Sequence, residues 1–223
     1  MLISLKFRKM MKLKNVSFWI LMLKICLIFG QNQVAKNIIV IDPGHGGKDS
    51  GAIGINDIQE KDVVLDIALE ILRLNKTIFN NQLDIYLTRY KDTLISLSDR
   101  SRLTKGIKAD VFLSLHCNAS RNTSKGMEVY LHNSDNLNTK QSISFGLSVL
   151  NESTRKLGFK KRGVKFANFK VLREASAFCH AILVEMGFVT DTDEANYFLK
   201  PENIRAMALA VLMGLYNYLN MEL

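Results

Sequence analysis

The chain has 223 residues, of which 48% are hydrophobic, so it is long enough and apolar enough to form one domain with a large buried core. Its formal net charge of +9 is concentrated in residues 1–30, which contain six basic residues and no acidic ones. The remainder carries 24 basic against 21 acidic residues. It therefore lacks the charge excess of a nucleic-acid-binding protein, and nucleic acid is not expected as a partner.

The first thirty residues have the pattern of a targeting segment. A basic stretch ends at Lys14, and an apolar stretch follows over Val16–Phe29. That stretch has the length of a signal-peptide core and is short for a membrane span. We therefore predict a signal peptide or N-terminal anchor over residues 1–30, a folded domain without a membrane span over residues 31–223, and an extracytoplasmic location.

The processing of this segment has several alternatives. Lys24 interrupts the apolar stretch, and no Ala-x-Ala precedes a cut after Gly30, so an uncleaved anchor remains an alternative to a cleaved signal peptide. A lipid anchor on Cys26 is a third alternative, which is disfavoured because the preceding Ile25 is larger than the small residue usual at such sites.

Beyond the leader, short apolar runs alternate with longer segments of helical spacing. Five runs rich in β-branched, aliphatic and aromatic residues predict strands: Asn37–Asp42, Leu83–Thr88, Val111–His116, Gly126–His132 and Ala181–Gly187. Helical spacing begins at Val63, Leu94, Ile143 and Pro201. The alternation predicts a single α/β domain with a mostly parallel sheet of about six strands and helices on both faces.

Two histidines follow predicted strands of this sheet. His45 lies on the glycine-rich turn of the segment Ile-Asp-Pro-Gly-His-Gly-Gly, and His116 ends a buried run. The carboxyl ends of strands are where open α/β sheets place their ligand sites, so both histidines can reach one edge. Either one alone would be explained as a surface histidine or as a core histidine with its hydrogen bonds made.

Two acidic residues complete the set. Glu60 opens a predicted helix, where an acid often does no more than complement the helix dipole. Glu185 lies inside an almost wholly apolar strand, and an unpaired buried carboxylate costs several kcal/mol. It therefore requires a cation, a hydrogen-bond network, an open site or an exit to solvent at the strand end.

Together the four residues fit the composition of a catalytic zinc site. Such sites use three His, Asp or Glu ligands and keep one position open. His45, Glu60 and His116 would be the ligands, and Glu185 would take a proton from the attacking water and return it to the leaving nitrogen. The four are widely spaced in the chain, so spacing alone only suggests this site.

The segments that carry these residues resemble the zinc-dependent N-acetylmuramoyl-L-alanine amidases, bacterial enzymes that cut peptide stems from the glycan strands of peptidoglycan. The resemblance covers nearly everything from about Asn37 to Leu219, in order. The matching segments are Ile39–Gly47, Gln59–Asp62, Leu87–Arg89 with Asp92, Leu97–Arg102, Ala109–Ala119, Gly126–Leu131, Arg162–Val164, Val171–Arg173 and Ile182–Phe188.

The resemblance implies a role for each candidate. In the family, the histidine of the Gly-His-Gly turn, the glutamate before Lys-Asp and the histidine of the Ser-x-His segment bind zinc, and these match His45, Glu60 and His116. The glutamate of the Val-Glu-x-Gly-Phe segment is the catalytic carboxylate and matches Glu185. The implied protein is a zinc-peptidase-like single domain that hydrolyses the amide between the lactyl group of N-acetylmuramic acid and L-alanine.

The resemblance also implies Zn²⁺ as cofactor, peptidoglycan or a muropeptide as substrate, and a role in cell-wall remodelling or cell separation. We expect a monomer. A zinc carboxypeptidase acting on stem peptides is the alternative enzyme. A non-catalytic wall-binding protein is the alternative outside enzymes, and it is disfavoured because all four key residues are present.

Some residues depart from the family pattern. Cys117 stands where similar sequences commonly carry a small residue, and Cys179-His180 replaces a small residue and proline. We predict that both cysteines are buried small hydrophobes, with a single bridge between them as the alternative. We predict a loop or edge role for His180 and a polar strand end for His132, rather than zinc binding.

Three further expectations concern the surroundings of the site. The short segment between Leu131 and Arg162 carries a plain helix, and the resemblance to the shorter family members implies a site that this helix leaves open. A basic cluster before the last predicted strand is expected to be a solvated face, with contact to stem-peptide carboxylates as the alternative, for which Arg173 is the favoured member; the cluster comprises Lys160, Lys161, Arg162, Lys165 and Arg173. Asn118 is a candidate for orienting a ligand.

Overall fold

The computed structural model describes residues 18–19, 36–133 and 137–221. Apart from residues 18–19, the predicted leader lies outside the described residues. Within those ranges no helix combines the length and the apolar character needed to cross a membrane. From Lys36 onward the chain forms one compact unit.

Six strands and six α-helices make up the described part of this unit. The strands are β1 Ile38–Pro43, β2 Asp84–Leu87, β3 Val111–Asn118, β4 Met127–Leu131, β5 Lys161–Phe166 and β6 His180–Phe188. The helices are α1 Glu60–Thr77, α2 Leu97–Gly106, α3 Leu137–Leu157, α4 Lys170–Ala175, α5 Thr192–Phe198 and α6 Pro201–Met221.

The strands form one sheet in the order β2-β1-β3-β6-β4-β5. Neighbouring strands are parallel except for β4 and β6, which run antiparallel. The prediction of a mostly parallel six-stranded sheet is confirmed. Because β4 runs in the opposite direction, its amino end lies at the edge where β1, β3 and β6 end.

The five predicted strands are present with boundaries shifted by at most two residues, and β5 is the strand that sequence patterns did not identify. Its sequence Lys-Arg-Gly-Val-Lys-Phe has no apolar alternation, and its residues are all partly or fully exposed. Charged residues are typical of edge strands, where they discourage pairing with other chains. The short helices α4 and α5 were also missed, because six or seven residues carry too little periodicity.

Both faces of the sheet are covered, as predicted, but unequally. Along β1, Ile39 and Ile41 face the main core under α1, α3 and α6, whereas Val40 faces a second cluster. This alternation is that of a strand buried on both sides. The second cluster is covered by the six-residue helix α4 and by Ala109, which follows α2. Its members from the sheet lie towards the amino ends of β1, β3 and β6.

Phe145 of α3 tests the packing of the main core. It is fully buried, and its ring centroid lies 4.9 Å from that of Tyr218 in α6. We expect Phe145→Ala to lower the free energy of unfolding by about 3–5 kcal/mol, because it leaves a cavity between helix and sheet. Urea denaturation measures this loss. Leu147 of the same helix is 39% exposed, so Leu147→Ala is the control, and an equal loss for both would contradict the packing of α3.

Candidate metal centre

The four candidate residues come together at the carboxyl edge of the parallel strands. His45 lies on the turn after β1, Glu60 is the first residue of α1, and His116 and Glu185 lie near the ends of β3 and β6. His116 and Glu185 are register partners and point to the thinly covered face of the sheet. They occupy the part of that face beyond the second cluster.

Glu60 lies between the two histidines. Its Oε1 is 3.1 Å from Nε2 of His45 and 2.9 Å from Nδ1 of His116. One ligand atom from each of the three residues lies within 4.8 Å of the others. The imidazole rings cross nearly at right angles, with centroids 4.9 Å apart. Three donors therefore converge on one point, although they come from three separate elements.

The charges of the cluster are strongly coupled. Burial by itself lowers the pKa of His45, but the hydrogen bonds and negative charges of Glu60 and Asp49 outweigh it and raise that pKa to about 9. Burial by itself raises the pKa of Glu60, but hydrogen bonds from His116 and His45 hold it well below its usual range. The carboxylate of Glu60 is thus kept ionised at a site where it is only 4% exposed.

The residues fit a zinc ion. Two imidazole nitrogens and one carboxylate oxygen form a donor set of the kind found in catalytic zinc sites. Nδ1 of His45 donates to Asp49 over 2.9 Å, which leaves Nε2 directed at Glu60, an arrangement typical of metal-binding histidines. Gly44 lets His116 approach closely, because a Cβ at Gly44 would lie 2.3 Å from Cε1 of that ring.

Glu185 has the character of a proton acceptor. Its Oε2 is buried and has no hydrogen-bond partner among the described residues. Burial raises the pKa of Glu185 to about 7, the charges of Glu60 and Glu128 act in the same direction, and His116 opposes them. A carboxyl with a pKa near neutrality can both take and return a proton. Of the sequence alternatives, the exit to solvent does not hold for Oε2.

Glu128 of β4 is a site residue that sequence reasoning missed. It is 2% exposed and is the register partner of Glu185. It accepts hydrogen bonds from Asn118, Tyr130, Arg162 and Lys165. An acid within an otherwise apolar strand was the signal that identified Glu185, and the same signal applies to Glu128.

These contacts also locate Asn118 and the basic cluster. Asn118 was expected to orient a candidate ligand, but its amide donates to Glu128 instead. Two basic residues of β5, Arg162 and Lys165, reach Glu128 beside Glu185. Arg173 is exposed on α4 and donates to Asn168, so its contact with substrate remains a prediction.

The other two histidines of the described residues lie away from the cluster. His132 follows the carboxyl end of β4, which is the opposite edge of the sheet because β4 is antiparallel to β6. His180 begins β6 and lies 2.6 Å, Nδ1 to hydroxyl, from Tyr218 of α6. The expected loop or edge position for His180 is wrong, since β6 lies inside the sheet. Its contact with Tyr218 places its side chain on the face opposite to Glu185.

Cys117 and Cys179, the cysteines of the described residues, are free and buried. This confirms the prediction of small buried hydrophobes, and the alternative of a bridge is wrong. The main-chain N–H of Cys117 donates to Glu60, while its thiol lies in the main core, where burial together with the nearby carboxylates raises its pKa well above the usual range.

The approach to the cluster is open in the described residues. Helix α3 packs on the main core, on the opposite face of the sheet from His116 and Glu185. The side chains of His45 and His116 retain 24% and 19% exposure. A cleft of about 590 Å³ runs beside them, lined also by Leu94, Leu97 and Val171. A flexible polymer can therefore reach the candidate ligands.

Gly51 offers a test of how tightly the cluster is built. Its φ is +65°, and a Cβ there would lie 2.5 Å from Oε2 of Glu60 and 2.7 Å from Cδ2 of His45. We expect Gly51→Ala to displace both side chains and to weaken zinc binding, measured by competition with a chromophoric chelator. Gly158 has φ +76° with no atom within 4 Å of a Cβ, so Gly158→Ala carries the same backbone strain without the collision. An equal zinc affinity for the two variants would contradict the described geometry.

The α/β sheet and the cluster at its edge form an arrangement suited to metal-assisted hydrolysis. Comparison with known proteins identifies the class of hydrolase. Residues 39–217 match the profile of the N-acetylmuramoyl-L-alanine amidase family. The chain is 35% identical over 187 residues to the sporulation-specific N-acetylmuramoyl-L-alanine amidase of Bacillus subtilis. The aligned region covers 82% of this chain and 69% of that protein.

Solved structures agree. The N-acetylmuramoyl-L-alanine amidase AmiC2 of Nostoc punctiforme superposes with a TM-score of 0.75 and 33% identity, over 83% of this chain and 98% of that one. The N-acetylmuramoyl-L-alanine amidase of Clostridium difficile 630 gives 0.76 and 32%, over 83% and 97%. The chain belongs to the N-acetylmuramoyl-L-alanine amidase family and is a peptidoglycan amidase.

Proposed function

We propose that this amidase is zinc-dependent, that His45, Glu60 and His116 hold the zinc ion, and that Glu185 is the catalytic carboxylate. The observation that carries the proposal is the convergence of three zinc-type donors within 4.8 Å, beside a carboxylate whose Oε2 has no hydrogen-bond partner in the described part of the chain. The bond cleaved is the amide between the lactyl group of N-acetylmuramic acid and L-alanine of the stem peptide.

The residues of the chain have separate roles in proton transfer and in orienting the ligands. Zinc, when bound, supplies Lewis acidity that polarises the amide carbonyl and makes water easier to deprotonate. Glu185 takes the proton of the attacking water and delivers it to the amine that leaves. Asp49 holds His45 through Nδ1, and the main-chain N–H groups of Ala52 and Cys117 hold the carboxylate of Glu60. The ligand set is therefore oriented before substrate arrives.

The test is digestion of purified sacculi by the protein, with and without a chelator, followed by mass analysis of the fragments. We expect intact stem peptides free of glycan, a reaction that stops with chelator and resumes with added zinc. Release of single terminal amino acids would instead identify the carboxypeptidase alternative. Binding to sacculi without any release would identify a wall-binding protein.

We further propose that the protein acts outside the cytoplasm as a monomer, in cell-wall remodelling or cell separation, with residues 1–30 as signal peptide or anchor and residues 31–223 as the catalytic domain. The support is chemical, because its peptidoglycan substrate lies outside the cytoplasmic membrane. The intact mass of the exported protein distinguishes a cleaved leader from a retained or lipid-bearing one. Sedimentation analysis tests the monomer.

A further inference from the structure

The turn that carries His45 has an unusual backbone. His45 itself has φ +58°, in the left-handed region, and Gly46 and Gly47 follow with φ of +124° and +59°. A left-handed conformation costs a residue other than glycine about 1–3 kcal/mol and persists only where its surroundings enforce it. The direction of the His45 side chain depends on this conformation, so the contacts that enforce it bear on the metal site.

Two arginines bind the carbonyl oxygens of this turn. Arg89 donates from Nε to Pro43 O at 3.0 Å and from Nη2 to Gly44 O at 2.8 Å. Arg100 donates from Nη1 to Pro43 O and from Nη2 to His45 O, both at 2.8 Å. Three consecutive carbonyls are thus held by two planar guanidinium groups, each of which fixes two acceptors in a set relation.

These arginines are buried, at 3% and 2% exposure. A buried cation is costly unless it is paired or well hydrogen-bonded. Arg100 is paired with Asp42 over 2.6 Å, whereas the hydrogen bonds of Arg89 all go to main-chain carbonyls. Burial and the adjacent Arg100 cation lower the pKa of Arg89. Burying two neighbouring cations costs free energy, and many of their hydrogen bonds go to the segment that carries His45.

The far end of the turn is held independently. The N–H of Gly47 donates to Asp92 at 2.6 Å, and Lys61 donates to Gly47 O at 3.0 Å. His45 therefore lies between two fixed points, with the arginines on the side that leads from β1.

We propose that Arg89 and Arg100 are positioning residues for the metal site, which hold His45 in its left-handed conformation so that its imidazole meets Glu60. The inference rests on the zinc site of the proposed function. In this arrangement the arginines act on the metal site through the main-chain carbonyls of residues 43–45.

The test is zinc affinity of the Arg100→Lys variant, measured by competition with a chromophoric chelator under conditions where the protein is fully folded. Lysine keeps a cation beside Asp42 but cannot bind two carbonyls in a planar fork. We expect the zinc dissociation constant to rise by about 10–100-fold, as for other residues that orient metal ligands. Arg89→Lys, which leaves the pair of Arg100 and Asp42 intact, is expected to act in the same direction and carries the test if Arg100→Lys does not fold.

Thr88→Val is the matched control. Thr88 donates to Asp42 at 2.6 Å, so its loss weakens the same buried network while leaving both arginine forks on the turn. We expect a lower urea midpoint for this variant with the zinc affinity of the wild type. The inference is overturned if the lysine variants bind zinc like the wild type, or if Thr88→Val weakens zinc binding as much as they do. Failure of the wild type to bind zinc would instead overturn the proposed function.

Discussion

Glu185→Gln is expected to lower the rate of muropeptide hydrolysis by about 10²–10⁴-fold, the usual contribution of one acid–base group, while zinc remains bound. Glutamine has the shape of glutamate but cannot accept a proton at neutral pH. The loss falls on proton transfer because Glu185 contributes no atom to the group that converges on Glu60. The measurement pairs a steady-state rate on soluble muropeptides with the zinc content of the purified protein.

Glu152 of α3 supplies the matched control for this variant. Like Glu185, it has one buried carboxylate oxygen without a partner among the described residues, but it lies on a helix that packs on the opposite face of the sheet. Glu152→Gln is therefore expected to retain the wild-type rate. A Glu185→Gln enzyme that hydrolysed muropeptides as fast as the wild type would refute the role of Glu185.

The second large effect is expected for His116→Ala, which removes one of the three candidate ligands. We expect zinc affinity to fall by more than the roughly 10–100-fold that follows loss of a residue that only orients a ligand. Hydrolysis should fall with it and recover in part at high zinc concentration, because the two remaining donors still bind weakly. Chelator competition measures the affinity, and a zinc titration of the rate measures the recovery.

His132→Ala is the control for the histidine change. His132 lies after the carboxyl end of β4, at the opposite edge of the sheet, so its loss should change neither zinc affinity nor rate. Unchanged zinc affinity in His116→Ala would place the metal elsewhere. A metal-free His116→Ala protein with the wild-type rate would show that hydrolysis does not need zinc.

Much of the fold followed from local patterns. The strands β1 and β3 are continuous apolar runs because both of their faces are buried, and α1 and α6 are long enough for their helical spacing to show. The weak points were β5, α4 and α5. The exposed edge strand has no apolar alternation, and the two helices are too short for a helical period to show.

For the candidate site too, some residues could be identified from the sequence, whereas their contacts could not. His45, His116 and Glu185 could be proposed from the sequence because each has a local signal: a glycine-rich turn, a strand end, or an acid inside an apolar run. These local signals do not show which residues the side chains pair with. Glu128 meets Glu185 only because β4 pairs with β6 in an antiparallel register, and Arg100 meets His45 O across 55 positions of the chain.

The sequence by itself therefore determined the α/β class, the amidase family and the four candidate residues, because side-chain periodicity and short motifs are local properties. Only the tertiary structure decided the direction of β4, the environment of Glu185 beside Glu128, and the arginine contacts to the His45 turn. Those features depend on pairings between distant segments, and a buried charge becomes visible as costly or compensated only when its neighbours in space are known.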